Sequence, residues 1–381
     1  MSGREQTVAS PTQPWTGTRL VAWSDLGAEE LEAWHRLRQS NPALDSPYFH
    51  PAFAGAVHAT GADVTVAIHR DRTGAIRAIL PAHRDGGTLL PAGWPGADYQ
   101  APIAAPGEPA SPLDLLPPGI REIRFSTLVE PDPAYEPYLV VREPAPFIDA
   151  TGGLEGYLTR ATRTGKEKMS EARRGIAKAT RELGPVRFEA SSCDEQALAW
   201  VIAAKRAQYA ATGAGDYFAP PRRRALLSQL LRTTEPGFAG MLSTVHVGDQ
   251  LVAAHFGIRS GPVLHWWFPV YDPAFARIGP GWILLREMLT AAPAAGITRI
   301  DLGRGEDEYK RWLMTGATTV CQATVTRSTA RRLVRQARHR AVAAMKASPL
   351  GPALRPLVRR LRAARPAPTS VPTAQRKEGT P

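Results

Sequence analysis

Three runs of mostly apolar, β-favouring residues follow one another between residues 241 and 270. Met241–Val247, Leu251–Ile258 and Val263–Val270 each read as a strand. The separators, Gly248-Asp249 and Ser260-Gly261, have the chemistry of two-residue turns, so the runs predict an antiparallel meander. Upstream, Val186–Ala190 alternates like a short strand. Leu198, Val201, Ile202 and Tyr209 then share one helical face, and Leu226, Leu227, Leu230 and Leu231 mark a second helix. Downstream, the glycine-rich turn Arg277-Ile-Gly-Pro-Gly281 opens the apolar helix Trp282–Ala292, which Gly296 stops. Ile297–Leu302 reads as a strand, Glu306–Leu313 as a short helix and Thr318–Thr326 as a closing strand rich in β-branched residues. The predicted order is β-α-α-β-β-β-α-β-α-β.

The first 145 residues repeat this order more loosely. Arg19–Trp23 reads as a strand; Leu31, Trp34 and Leu37 suggest one helix, and Phe49, Phe53 and Val57 another. Val64, Val66 and Ile68 alternate, Asp71-Arg-Thr-Gly74 turns, and Ala75–Leu80 returns as a hairpin. Arg121–Val129 and Tyr138–Val141 read as later strands. The glycines of Pro91-Ala-Gly-Trp-Pro-Gly-Ala-Asp98 precede no helical pattern, so this half lacks a counterpart to the Arg277–Gly281 turn. Two tandem copies of one fold are expected, at residues 18–150 and 151–326, after a disordered start over residues 1–17. Between the halves, Leu154–Leu183 is polar, basic and strongly helical. Residues 327–381 read as a basic amphipathic helix followed by a proline-rich, disordered end.

Composition narrows the class. The chain has 381 residues, 43% hydrophobic and 22% charged, which is ordinary globular usage. Two cysteines, Cys193 and Cys321, exclude a disulfide scaffold and a multi-cysteine zinc site. No run approaches the roughly 18 apolar residues of a membrane span, and the N-terminus has no apolar signal core. A soluble, cytoplasmic protein is expected. The net charge of +12 is local: residues 327–381 hold 14 bases against Glu378 alone, leaving 33 bases and 34 acids elsewhere. A nucleic-acid-binding fold is therefore not needed to explain the charge. The tail itself suits an anionic membrane surface or tRNA, or is simply solvated.

Several residues have side chains suited to chemistry. Gly279 and Gly281 permit close backbone approach at a helix N-terminus, where a pyrophosphate binds well, and Arg277 adds charge. The same turn also reads as a plain helix start with Pro280 early in the helix. His246, His255 and His265 lie on the meander. With the turn at Gly248-Asp249, His246 faces Leu251, ~13 Å along the strand from His255, so no metal site is expected. His265, roughly opposite Phe256, and His255 are general bases or half-buried packed histidines. On alternating faces, Trp266 and Phe268 are expected in the core, with His265 and Trp267 on the other side.

Five segments together resemble the GNAT acetyltransferase fold, and more narrowly its CelD-like branch of tandem proteins related to Fem-type peptidyltransferases. They are Ser46-Pro-Tyr-Phe-His-Pro-Ala-Phe53, Leu90-Pro-Ala-Gly-Trp-Pro-Gly-Ala-Asp-Tyr-Gln100, the helix around Arg173-Arg174, Tyr271-Asp-Pro-Ala-Phe-Ala-Arg-Ile-Gly-Pro-Gly281 and Asp301-Leu-Gly-Arg-Gly-Glu-Asp-Glu-Tyr-Lys310. Arg277 stands two residues before Gly279, where the usual Q/R-x-x-G-x-G has three. The resemblance implies an α+β fold of two GNAT-like domains and N-acyl transfer from acyl-CoA (acetyl-CoA in the simplest case) to an amine, without a metal. It places the pyrophosphate on Gly279 and Gly281 with Arg277, and the pantetheine on Phe268–Tyr271, hence on Val270. Tyr309 becomes the acid for the leaving thiolate or a packed helix tyrosine. Asp301 and His255 become groups that orient or deprotonate the amine, Asp301 being otherwise a turn residue. Asp98, Tyr99 and Gln100 face an acceptor (small molecule, peptide or sugar amine) between the halves, or are loop chemistry. Arg304 and Lys310 contact substrate or are solvated charges. A Fem-type aminoacyl-tRNA donor, and a non-enzymatic role in envelope or polysaccharide assembly with the tail on a membrane, are the alternatives.

Overall fold

A computed structural model describes residues 17–108, 111–305, 307–335 and 337. In the first half, β1 (Gly17–Ala22) leads to helices α1 (Ala28–Ser40) and α2 (Pro51–Ala59). Strands β2 (Thr65–Arg70), β3 (Ile76–Asp85), β4 (Thr88–Pro91), β5 (Ile103–Ala104), β6 (Glu122–Val129) and β7 (Leu139–Asp149) follow. The second half begins with α3 (Gly153–Arg160), α4 (Arg163–Glu182), β8 (Val186–Ser192), α5 (Glu195–Thr212) and α6 (Pro221–Arg232). The short β9 (Thr234–Glu235) precedes the meander β10 (Phe238–Val247), β11 (Gln250–Ser260) and β12 (Val263–Tyr271). Helix α7 (Pro280–Ala291), β13 (Arg299–Asp301), α8 (Glu308–Leu313) and β14 (Gly316–Thr326) complete it.

All these strands belong to one sheet of 14, in the order β1-β2-β3-β4-β6-β14-β7-β13-β12-β11-β10-β8, with β5 on β3 and β9 on β10. The halves exchange their last strands. β7, which ends the first half, pairs with β13 of the second, while β14, which ends the second, pairs with β6 of the first. Cores lie on both faces. One gathers Trp34, Phe53, Leu227 and Phe256 under α1, α2, α5 and α6; another packs Met169, Ile283, Leu285 and Ile300 under α4 and α7. The linking segment is two helices, because the Thr162 hydroxyl caps α4 by accepting the Gly165 amide at 3.0 Å. The buried stripe of α4 is mostly small (Gly165, Ala172, Gly175, Ala179), which lets it lie close on the turn before α7.

Three sequence readings of the meander are corrected. The second turn is Gly261-Pro262, since Ser260 still pairs with Val263. His265 therefore faces Ile258, not Phe256. A bulge then sets Trp266 and Trp267 against Gly257 alone, so the faces do not alternate through this stretch. Trp267 and Phe268 pack in one core and Trp266 in the other, against His255. The strand expected over Ile297–Leu302 is paired only at Arg299–Asp301.

Among the described residues no helix is long and apolar enough to cross a membrane. Residues 1–16 and 338–381, which hold the expected disordered start and most of the basic tail, lie outside the described residues, as does Glu306. The separate unit that begins at Ser328 has residues 329–335 helical.

Candidate active site

β12 and β13 run parallel through Val263 with Arg299, Leu264 with Ile300 and His265 with Asp301, and there they part. Beyond His265, β12 keeps β11 on one side as far as Tyr271. Among the described residues no strand pairs with its other edge. Such an edge can take an extended amide chain as an added strand. Val270 belongs to this stretch. The Pro269 carbonyl accepts from Lys205 Nζ of α5 at 3.4 Å. Burial lowers the pKa of that ammonium to about 8, with Asp307 opposing.

The open edge leads into the glycine turn. Gly279 is left-handed (φ 65°, ψ 53°) and caps α7, a conformation that suits glycine. Its amide donates to the Ala276 carbonyl at 3.0 Å, and its own carbonyl accepts from Trp282 at 3.0 Å and Ile283 at 3.1 Å. Pro280 has no N–H, and among the described residues no protein carbonyl takes the Gly281 amide. A Cβ on Gly281 would touch only Tyr271, at 3.5 Å. Arg277 is half-exposed and pairs with Glu182 at 3.3 Å, at the end of α4.

Where β12 and β13 part, side chains from both halves meet. His265, fully buried, shares a hydrogen bond of 3.1 Å through Nε2 with Asp98 of the first half, and among the described residues its Nδ1 has no partner. Tyr48 and Tyr99 stand edge-on to its ring at centroid distances of 5.0 and 5.8 Å. Beside it, Asp301 is 0% exposed. Its Oδ1 accepts from Arg299 Nε at 2.7 Å, and among the described residues its Oδ2 has no partner. Arg299 continues to Asp45 at 3.3 Å. Burial raises the Asp301 pKa to about 6 against the pull of Arg299 and His265. Tyr99, Arg299, Asp45 and Asp301, with Ser46 and Glu130 among others, line a cavity of about 160 Å³.

The other expected residues fall in distinct places. His255 is fully buried, stacked on Trp266 at 3.7 Å and away from the cavity lining; burial pushes its pKa well down. Gln100 spends its amide on the backbone: it accepts from Ser126 N at 2.8 Å and donates to Ser126 Oγ at 3.0 Å and to the Ala97 carbonyl at 3.4 Å. That leaves it holding the Asp98–Tyr99 loop in place. Lys310 donates to the carbonyls of Arg304 at 2.6 Å and Gly303 at 3.4 Å and pairs with Asp307 at 3.4 Å, so it clamps the loop before α8. Arg304 reaches the Ser126 carbonyl at 3.4 Å and Glu143 at 3.8 Å. Tyr309 is partly buried; burial, Asp307 and Asp98 raise its pKa, keeping the phenol protonated at neutral pH.

Asp45, Ser46, Glu130 and Arg299 did not stand out as site residues in the sequence. Ser46 opens one of the family-like segments, and Arg299 lies two positions before Asp301 on the same strand face. Those were the available signals. Glu130 gives none: it is the one non-glycine described residue with positive φ, at 34°.

Residues 166–311 match the acetyltransferase (GNAT) domain model. No curated protein matches the sequence. Among solved structures, FemX aligns with a TM-score of 0.53 at 8% identity, covering 81% of this chain and 96% of its own. The L-PGS of Bacillus licheniformis gives 0.48 at 11% identity (84% and 97% covered). A tandem GNAT protein from the clavulanic acid biosynthesis pathway gives 0.44 at 11% (81% and 98% covered). The domain match over residues 166–311 and the FemX alignment thus agree on an α+β fold of the GNAT type.

Proposed function

We propose that this GNAT-fold protein is an N-acyltransferase that moves an acyl group, acetyl in the simplest case, from acyl-CoA to an amine held between the halves. The parting of β12 from β13 beside a buried carboxylate carries this reading. It leaves an open edge for the donor's amide arm, ending at the Gly281 amide and the positive end of α7.

The amine nitrogen attacks the thioester carbonyl, the new C–N bond replaces C–S, and the sulfur leaves as a thiolate. The ammonium must first lose a proton, and the nitrogen loses a second as the amide forms. One proton is released, and the other ends on sulfur. The Asp98–His265 pair suits the first task better than His255, because Asp98 is 30% exposed whereas His255 is sealed against Trp266. Tyr309, kept protonated, suits the thiolate. Asp301 orients the amine.

Calorimetric titration with acetyl-CoA tests the donor. Gly281→Asp adds a carboxylate at the α7 N-terminus with room for its Cβ. Acetyl-CoA should bind the wild type and lose at least tenfold in affinity in this variant. Equal affinity in both sinks the reading. A Fem-type aminoacyl-tRNA donor is the second reading, favoured by a turn with one unpaired amide and Arg277 already paired. Binding of aminoacyl-tRNA with a steep salt slope, and none of acetyl-CoA, would select it.

A further inference from the structure

We infer that the cavity bordered by Asp45, Ser46, Tyr99, Arg299 and Asp301 seats the primary ammonium end of a small aliphatic ligand. Three buried oxygens of its lining have no partner among the described residues: Ser46 Oγ, Tyr99 OH and Asp301 Oδ2. Their residues are 2%, 3% and 0% exposed. Unpaired buried polar atoms are destabilising and are rare unless something else satisfies them. Each can accept a hydrogen bond, and a primary ammonium has three N–H groups to give. Water can fill the same space when the ligand is away.

Charge selects the sign. Among the described lining residues Asp45, Glu130 and Asp301 are acids and Arg299 is the base, its guanidinium already engaged by Asp301 and Asp45, while Arg38 acts on Asp45 from outside the lining. A phosphate or carboxylate would meet three acids and one occupied donor. A cation meets an acidic wall. Size selects the rest: about 160 Å³ is below the roughly 300–1,000 Å³ of pockets that enclose larger ligands. An ammonium on a short alkyl chain fits. The cavity is built by segments from both halves, and Glu130 at its rim holds a left-handed backbone.

Asp301 also stands where β12 and β13 part. That this ammonium belongs to the acyl acceptor rests on the acyl-transfer reading, whereas its binding does not. The carboxyl of Asp301 faces Arg299 on its own strand, His265 on β12, and Asp45 and Tyr99 from loops of the first half. Its titration near pH 6 makes ammonium binding weaken in acid.

Calorimetric titration of the full chain with n-propylammonium chloride, without any donor, tests the site, with n-propanol as the neutral control. Propylammonium should bind at pH 8 at least tenfold more tightly than propanol, and more weakly at pH 5. Ser46→Ala and Tyr99→Phe each remove one unpaired oxygen. They should weaken binding several-fold while the melting temperature stays or rises. A packing defect would show the same thermal gain with binding unchanged. No binding of propylammonium, or wild-type affinity in both variants, overturns the inference. Binding without acyl transfer from any donor leaves the site standing and removes the acyltransferase reading. Transfer with an unaltered amine KM in both variants keeps the enzyme and the binding site apart, and removes the assignment of this ammonium to the acyl acceptor.

Discussion

Asp301 carries a carboxyl group to a point where, among the described residues, one oxygen accepts from Arg299 and the other has no partner. Unfolded, it titrates near 3.8; folded, near 6. Between those pH values the folded state holds a proton that the unfolded chain has lost, so stability falls as pH rises through the window. Asp301→Asn removes that proton exchange. Its stability relative to wild type should improve by roughly 1–3 kcal/mol from pH 4 to pH 8, read by urea denaturation of both proteins across the range. A constant difference would place the Asp301 pKa at an ordinary value. At this scale the sequence was partly legible. Asp98, Tyr99 and Asp301 were expected at the site and do come together, but the histidine they meet is His265. Nothing local distinguishes His265 from His255. What separates them is Asp98, 167 residues away, and a bulge that sets the faces of β12.

Helix α4 shows how an element depends on what it packs against. Gly175 lies in its middle, where alanine would gain about 1 kcal/mol in helix propensity. Yet a Cβ there would stand 2.1 Å from the Ile278 carbonyl oxygen, in the backbone of the glycine turn itself. Overpacking of this kind costs about 1–3 kcal/mol, so the clash wins. Gly175→Ala should destabilise the protein in chemical denaturation and weaken donor binding, because Ile278 must move. An unchanged midpoint would show that α4 stands off from the turn. The periodicities that predict α5, α6 and the meander are local and strong, and these elements form. The errors came where a distant partner or a proline decides. Pro262 moved the second turn by one residue, and β13 is a strand over Arg299–Asp301 only, since beyond Asp301 it parts from β12, although the Leu302 amide still donates to the Pro146 carbonyl of β7 at 2.9 Å.

Across the whole molecule the sheet ties the halves through exchanged strands. β7 lies between β14 and β13, and β14 lies between β6 and β7. Residues 1–150 alone would leave β7 without both neighbours and β6 without β14, exposing long edges. Neither that fragment nor 151–381 should fold separately, whereas their co-expression should restore a 1:1 complex and the intact chain should melt in one transition. Protected amides in either fragment alone, measured by hydrogen exchange, would contradict this. By itself the sequence determined the succession of elements, the turn ahead of α7 and the concentration of charge after residue 326, because each depends on neighbours a few positions apart. Only the tertiary structure decided the strand exchange and the polar cavity. The Arg299–Asp45 pair, for example, spans 254 residues. Such contacts are set by how the sheet closes, and no spacing along the chain records them.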